Sequence, residues 1–340
     1  MSPGIIISIR SMLAMDVPAI VLVMALSGGA QTTAVGEQVP AVSHNTWTSG
    51  APIPTPVVAA ASAVLKAEIY VVGGENSAST IVADTQIYNP ITNSWSAGAS
   101  LPTAVEGASA AVFNNILYVF GGTSDGGTAS NAVWAYNPKT KSWSAKSAMP
   151  TARYDTAAVV ENKIIYLIGG EVNSSDFVAT VESYDPATNA WAEEAPMLGT
   201  KQSPAAGLLG NLTTGFTIMA ADGATQPSQI TGNTEGYEAA TNTWTERTAD
   251  ATARVAPCFG SVGGKLYVVG GYLNNGLGRP AATVNEAFEL SKNKWQTTLA
   301  PIPQGVMWSA SAVYNGQLYC IGGWATIQGT VLNSLQIYQP

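Results

Sequence analysis

Few side chains in this 340-residue chain could do chemistry, and their types narrow the possibilities at once. The single histidine, His44, rules out metal centres that need several imidazoles. Two cysteines, Cys258 and Cys320, are too few for a Cys₄ zinc site or a disulfide scaffold. The chain contains no G-x-S-x-G elbow, P-loop, H-E-x-x-H pair or EF-hand loop. What remains is a small set of cations, carboxylates and aromatics. Arg153, Lys201 and Arg254 are the candidates for holding an anion, since a guanidinium fork meets a carboxylate through two parallel bonds. Tyr154, Tyr272, Trp308 and Trp324 offer aromatic faces to sugar rings or apolar side chains. Glu106 and Asp155, with Glu171 nearby, are the carboxylates available for acid–base work; in that reading Glu106 or Asp155 is the base and Arg153 clamps a substrate carboxylate. Neither a metal nor a cofactor is expected.

The chain that must position these groups is globular in composition but poor in charge: 46% apolar and only 11% charged, with 34 glycines. Lys and Arg total 14 against 22 Asp and Glu, a net charge of −8 that disfavours bulk attraction to nucleic acid or anionic lipid. Val17–Leu26 is an unbroken apolar run with Arg10 before it and Ser27-Gly28-Gly29-Ala30 after it, the order of a signal peptide over about residues 1–30. No stretch reaches the length of a transmembrane helix. The expectation is a leader over 1–30, a linker over 31–44, and a secreted or periplasmic protein, monomeric and without a membrane anchor.

Past residue 44 the chain repeats at a spacing of about 50 residues. Each unit has an apolar strand such as Ile116–Phe120 ending in a glycine pair, a polar loop, an aromatic, and a tryptophan seven positions later. The pairs are Gly73-Gly74, Gly121-Gly122, Gly169-Gly170, Gly270-Gly271 and Gly322-Gly323, with Ala220-Ala221 expected to stand in for the fourth. The aromatics are Tyr88, Tyr136, Tyr184, Tyr237, Phe288 and Tyr338; the tryptophans are Trp95, Trp143, Trp191, Trp244 and Trp295. Asn/Asp-Pro turns such as Asn89-Pro90 link aromatic to tryptophan as tight hairpins, and an alternating strand such as Ala108–Phe113 precedes each glycine-ended one. Four short antiparallel strands per unit follow. Aligned on the glycines, the units carry Val57, Val105, Arg153, Lys201, Arg254 and Val306 at one position, and Glu75, Thr123, Glu171, Asp222, Tyr272 and Trp324 directly after the pair.

Gly-Gly, then Tyr, then Trp seven residues on, at this period, resembles the Kelch family over about residues 45–340. The resemblance implies an all-β, six-bladed propeller with one four-stranded blade per repeat. The sixth unit stops at Tyr338-Gln339-Pro340, and its missing tryptophan segment sits at the other end as Asn45-Thr46-Trp47-Thr48, so the N-terminal strand is expected to complete the last blade and close the ring. In such a disk the cation positions fall on one rim, beside Tyr272, Trp308 and Trp324. The leading functional expectation is a module binding a protein or glycan ligand, anionic in character, at the rim of blades 3–6. A sugar-acid epimerase like the Kelch-type sialic-acid epimerases, or a purely structural envelope protein, are the alternatives. The copper site of the galactose-oxidase type cannot be built with one histidine. The competing reading of the rim cations is that they only pair with carboxylates of adjacent loops. Cys258 and Cys320, on the innermost and second strands of adjacent blades, are expected as buried free thiols in preference to a bonded pair.

Overall fold

The computed structural model describes residues 44–340 apart from 212–214, 228, 274–279 and 328. The leader and, His44 excepted, the linker expected from the sequence lie outside the described residues.

Among the described residues six four-stranded antiparallel sheets form the blades, with three two-stranded sheets beside them. Blade 1 runs Ala61–Leu65, Glu68–Val72, Thr85–Asn89 and Ser94–Ala97 from the axis outward. Blades 2 to 5 repeat this order from Ser109, Ala157, Ala205 and Cys258. Blade 6 takes Ala310–Tyr314, Gln317–Ile321 and Leu335–Gln339 from the end of the chain and Thr46–Ser49 from its beginning, with Trp47 opposite Tyr338. The ring is thus closed by pairing the two ends, as the split sixth repeat requires. One short 3₁₀ turn, Leu290–Lys292, is the sole helical element among the described residues.

Each part of the repeat has a mechanical job. The aromatic and the tryptophan face each other across the two outer strands, as in Tyr88 opposite Trp95 with ring centroids 5.1 Å apart. The indole N–H then leaves its own blade: Trp95 donates to the Ala51 carbonyl, Trp143 to Ala99, Trp191 to Ser147, Trp244 to Ala195, Trp295 to Thr248 and Trp47 to Ala300, all at 2.8–2.9 Å. The periphery is stitched all the way round. Between neighbouring blades lie six apolar clusters, one per interface; that of blades 1 and 2 holds Ala61, Tyr70, Val72, Leu117, Val119 and Tyr136. This face-to-face packing of small and branched residues is where the low charge content goes.

The glycine pairs build a second closed belt nearer the axis. The second glycine of each pair donates its N–H to the next blade: Gly74 to Val105, Gly122 to Arg153, Gly170 to Lys201, Gly271 to Val306 and Gly323 to Val57, at 2.7–3.0 Å. In blade 4 the donor is Gly223, to Arg254, at 2.8 Å. The pair there is therefore Asp222-Gly223, not Ala220-Ala221, which lie two residues earlier inside the strand Gly215–Ala221. Blade 4 has a longer second strand than the others, which is why alignment on small residues slipped. In the other five blades the first of the pair is glycine at φ +63 to +70°, where a Cβ would land on the carbonyl oxygen that the belt uses, whereas blade 4 holds Asp222 there at φ 60°.

Cys258 and Cys320 form a disulfide across the blade 5–blade 6 interface, with Cα atoms 5.7 Å apart. The expectation of free thiols is corrected. Adjacent blades place the innermost strand of one beside the second strand of the next, and both side chains point into the same cluster with Tyr267, Val269 and Leu318.

Candidate functional site

The innermost strands begin with six residues that form a third ring, around the axis. Ala59, Gly107, Asp155, Ser203, Ala256 and Trp308 all have positive φ, 48–63°. Each donates its N–H to the carbonyl of the preceding blade's member, Gly107 to Ala59 at 2.8 Å and so on round to Ala59, which donates to Trp308 at 2.8 Å. Five of these six are not glycine and hold a left-handed conformation that costs roughly 1 kcal/mol each, over-determined here by the closed ring. This collar aims two large side chains at one another from opposite sides: the Trp308 indole donates to Asp155 Oδ2 at 3.3 Å, blade 6 to blade 3 across the axis.

On one side of the Trp308–Asp155 crossbar lies the axial channel, walled by Ala, Ser, Thr and Pro of the inner strands. On the other side opens a funnel of about 350 Å³, a volume suited to a small ligand or one side chain. Its walls carry Glu75, Glu106, Asp155 and Glu171, and the rings of Tyr154, Phe177, Trp308 and Trp324. Trp308 and Trp324 meet edge to face at 5.7 Å. Gln202 knits the acids together, its Nε2 donating to Asp155 Oδ2 at 2.8 Å and to Glu171 Oε1 at 3.1 Å. The loop residues after the glycine pairs supply Glu75, Thr123, Glu171 and Trp324 because each pairs back onto the residue before the collar, as in Tyr154 with Glu171 and Met307 with Trp324.

Crowded carboxyls in a partly dry cavity resist ionisation. Burial first, then the charges of Glu75 and Asp155, push Glu106 up to about 7. Burial and the charge of Asp155 push Glu171 up to about 8. Burial also raises Asp155, opposed by hydrogen bonds from Ser203, Trp308 and Gln202. Near neutral pH the funnel therefore holds both protonated and ionised carboxyls, that is, proton donors and acceptors side by side.

The three cations are not in this site. Arg153, Lys201 and Arg254 are 0%, 1% and 0% exposed, so the expected anion-binding rim is corrected. Arg153 is paired with Glu182 at 2.8 Å and donates to the Gly169 and Thr180 carbonyls. Lys201 donates to the Asn233 carbonyl at 2.8 Å and faces Glu235 at 3.4 Å. Arg254 is bound to Glu286, to Asp250 at 2.9 Å, and lies 3.6 Å from Asp222. Burial raises the Asp222 carboxyl well above the usual range, with Asp250 adding to it. With its cation inside the blade, Arg153 cannot act as a substrate clamp. The signal was in the repeat: the third-strand position is Glu where the rim position is Arg or Lys (Glu182, Glu235, Glu286), but Gln86 and Gln336 where it is Val57 and Val306. Those glutamines bond the backbone of Thr55 and Gln304 instead.

Of the other expected residues, the structure gathers Glu106, Tyr154, Asp155, Trp308 and Trp324 into the funnel. Tyr272 packs with Trp308 against Ala224, Val255 and Ala256 and is outside the lining. Glu75, Phe177 and Gln202 were missed. Glu75 and Glu171 share the position after the glycine pair, and Gln202 shares with Glu106 and Tyr154 the position before the collar, signals the alignment contained; Phe177 enters through loop geometry that no spacing foretells.

Fold and collar define a Kelch-type six-bladed propeller with an acidic, aromatic-walled axial mouth. The chain belongs to the Attractin/LZTR1 beta-propeller family, whose model matches residues 69–336. Among curated proteins it is similar to Kelch-like protein 23 of Mus musculus, 29% identical over 106 residues, and to that of Homo sapiens, 27% identical over 106 residues. Each match takes in 31% of this chain and 17% of the relative, so the chain spans less than a fifth of their length. The solved structure of YjhT superposes with a TM-score of 0.70 at 20% identity, covering 85% of this chain and 96% of that one. Among the described residues no helix is long and apolar enough to cross a membrane.

Proposed function

We propose that the protein is a binding module, exported from the cytoplasm, that takes its ligand in the axial funnel. The observation that carries this is the open cavity of about 350 Å³ walled by four aromatic rings and four carboxyls, set on a closed backbone collar that fixes its shape in advance. Export is supported by the apolar run Val17–Leu26 and by the Cys258–Cys320 disulfide, since such bonds persist in oxidising compartments. The occupant is not an anion held by Arg153, Lys201 or Arg254, whose charges are spent inside the blades. Titrating the protein with peptide and saccharide libraries while following tryptophan fluorescence tests the reading. A ligand should quench Trp308 and Trp324, and Trp324→Ala should weaken it at least about tenfold; a ligand whose affinity is untouched by that substitution would place the site elsewhere.

A second reading, a sugar isomerase, is favoured by Glu106 and Glu171 standing at about 7 and 8 beside Asp155, a donor–acceptor set for proton exchange at a hemiacetal. The substrate in that case is a neutral pyranose, because the lining carries no cation among the described residues to meet a sugar carboxylate. Proton NMR of freshly dissolved aldoses with micromolar protein decides: anomer exchange at the uncatalysed rate dismisses it.

A further inference from the structure

Resting on the funnel as the ligand site, we infer that its aromatic walls and donor-free floor select an organic cation, an ammonium or guanidinium head either free or at the tip of a basic side chain.

The floor of the funnel is the collar, and all six of its N–H groups are already donated to neighbouring collar carbonyls. The mouth therefore has no backbone N–H nest with which to receive a carboxylate or phosphate. Among the described residues no Lys, Arg or His lines the cavity, and Arg153, Lys201 and Arg254 are buried in their own ion pairs. What the funnel does present is carboxyls and aromatic rings. Trp308 and Trp324, held edge to face at 5.7 Å, line the funnel of about 350 Å³ together with Tyr154 and Phe177, and ring faces in a dry cavity attract a cation strongly. Glu75, Glu106, Asp155 and Glu171 add carboxyl oxygens to the lining.

A bare metal ion is the competing cation, and the spacing of the acids argues against it. Among the described residues no three of His, Cys, Asp and Glu converge closely enough to hold one. Carboxyls spread round the walls of a cavity suit a larger, diffuse charge. Such a guest also relieves the crowding that keeps Glu106 and Glu171 protonated, so its arrival expels protons.

The test uses the full propeller and four probes by calorimetry: choline, its neutral carbon isostere 3,3-dimethylbutanol, acetate and methyl glucoside. Choline is expected to bind at least about tenfold more tightly than the isostere. Glu106→Gln/Glu171→Gln should narrow that gap while retaining the fold, checked by thermal melting. Short peptides carrying lysine, trimethyl-lysine or arginine form a second arm: tighter binding than choline marks a polypeptide source of the cation, equal binding a small molecule. Equal affinity for choline and its isostere, or binding of acetate or glucoside alone, overturns the cation. If the glucoside binds and Trp324→Ala abolishes it, the funnel stands as a site without this selectivity. If no probe or peptide binds, both readings fall.

Discussion

At the scale of single residues, the buried charge of the blades and the funnel has two uses: ion pairs that hold blades 3 to 5 together internally, and the acids of the funnel. The pairs are interchangeable modules, since blades 1 and 6 fill the same space with Val57 and Gln86 or Val306 and Gln336. Truncating one partner, Arg153→Ala, should cost about 3–5 kcal/mol because Glu182 is left buried and uncompensated, whereas Arg153→Val/Glu182→Gln should cost much less. Urea unfolding of the two variants measures the difference; similar losses would mean the pair is not the module it looks like. The funnel acids make the opposite prediction about pH. Glu106 and Glu171 have folded pKa values raised to about 7 and about 8, so the native state binds more protons than the unfolded chain between the ordinary carboxylate range and those values. Their contribution is fully present at acid pH and is lost progressively as pH rises from the ordinary carboxylate range through the folded values of about 7 and about 8. The melting temperature should fall over that interval, and Glu106→Gln/Glu171→Gln should flatten the fall. The other groups facing them, Glu75, Asp155 and Tyr154, are acids too, so nothing in the cavity reverses the sign.

At the scale of the element, the repeat is a set of instructions for leaving a blade. The tryptophan stitches the periphery, the second glycine the middle, and the positive-φ residue the collar. Gly73→Ala would drive a Cβ into the Val105 carbonyl and break the middle belt between blades 1 and 2. A loss of about 2–4 kcal/mol is expected from strain plus a lost bond. Ala59→Gly should act in the opposite direction, because Ala59 holds φ of 52° at a place where blade 2 already has Gly107. A gain of about 0.5–1 kcal/mol is the expected size; a loss would indicate that the collar depends on the methyl groups it carries.

At the scale of the whole molecule, stability depends on closure. Blade 6 takes one strand from the N-terminal end and three from the C-terminal end, and His44 Nδ1 lies 2.6 Å from the Pro340 carbonyl oxygen where the two ends meet. The disulfide lies one interface away, tying blade 5 to the blade that closes the ring. Cys258→Ala/Cys320→Ala should lower stability by about 2–4 kcal/mol, seen as a melting shift in the oxidised protein that vanishes under reductant. Removing Thr46–Ser49 should do more, leaving Leu335–Gln339 as an open edge and promoting aggregation by light scattering.

The propeller, its blade count and its closure were legible because the repeat writes them six times over in local chemistry: glycine where a side chain would strike a carbonyl, tryptophan where an N–H must reach the next blade. The site was legible only in fragments. Tyr154, Asp155, Trp308 and Trp324 stood out as types, yet Arg153, the residue before Tyr154, is buried in an ion pair while Tyr154 and Asp155 line the funnel. A one-residue step along a strand reverses the side chain, and composition does not say which face a charge takes. Whether a cation is paired, whether two distant cysteines meet, and which acids crowd one cavity depend on contacts between blades some 50 to 150 residues apart along the chain. Local pattern specifies each blade; the sign of the funnel's charge follows from which side chains six blades bring to one axis.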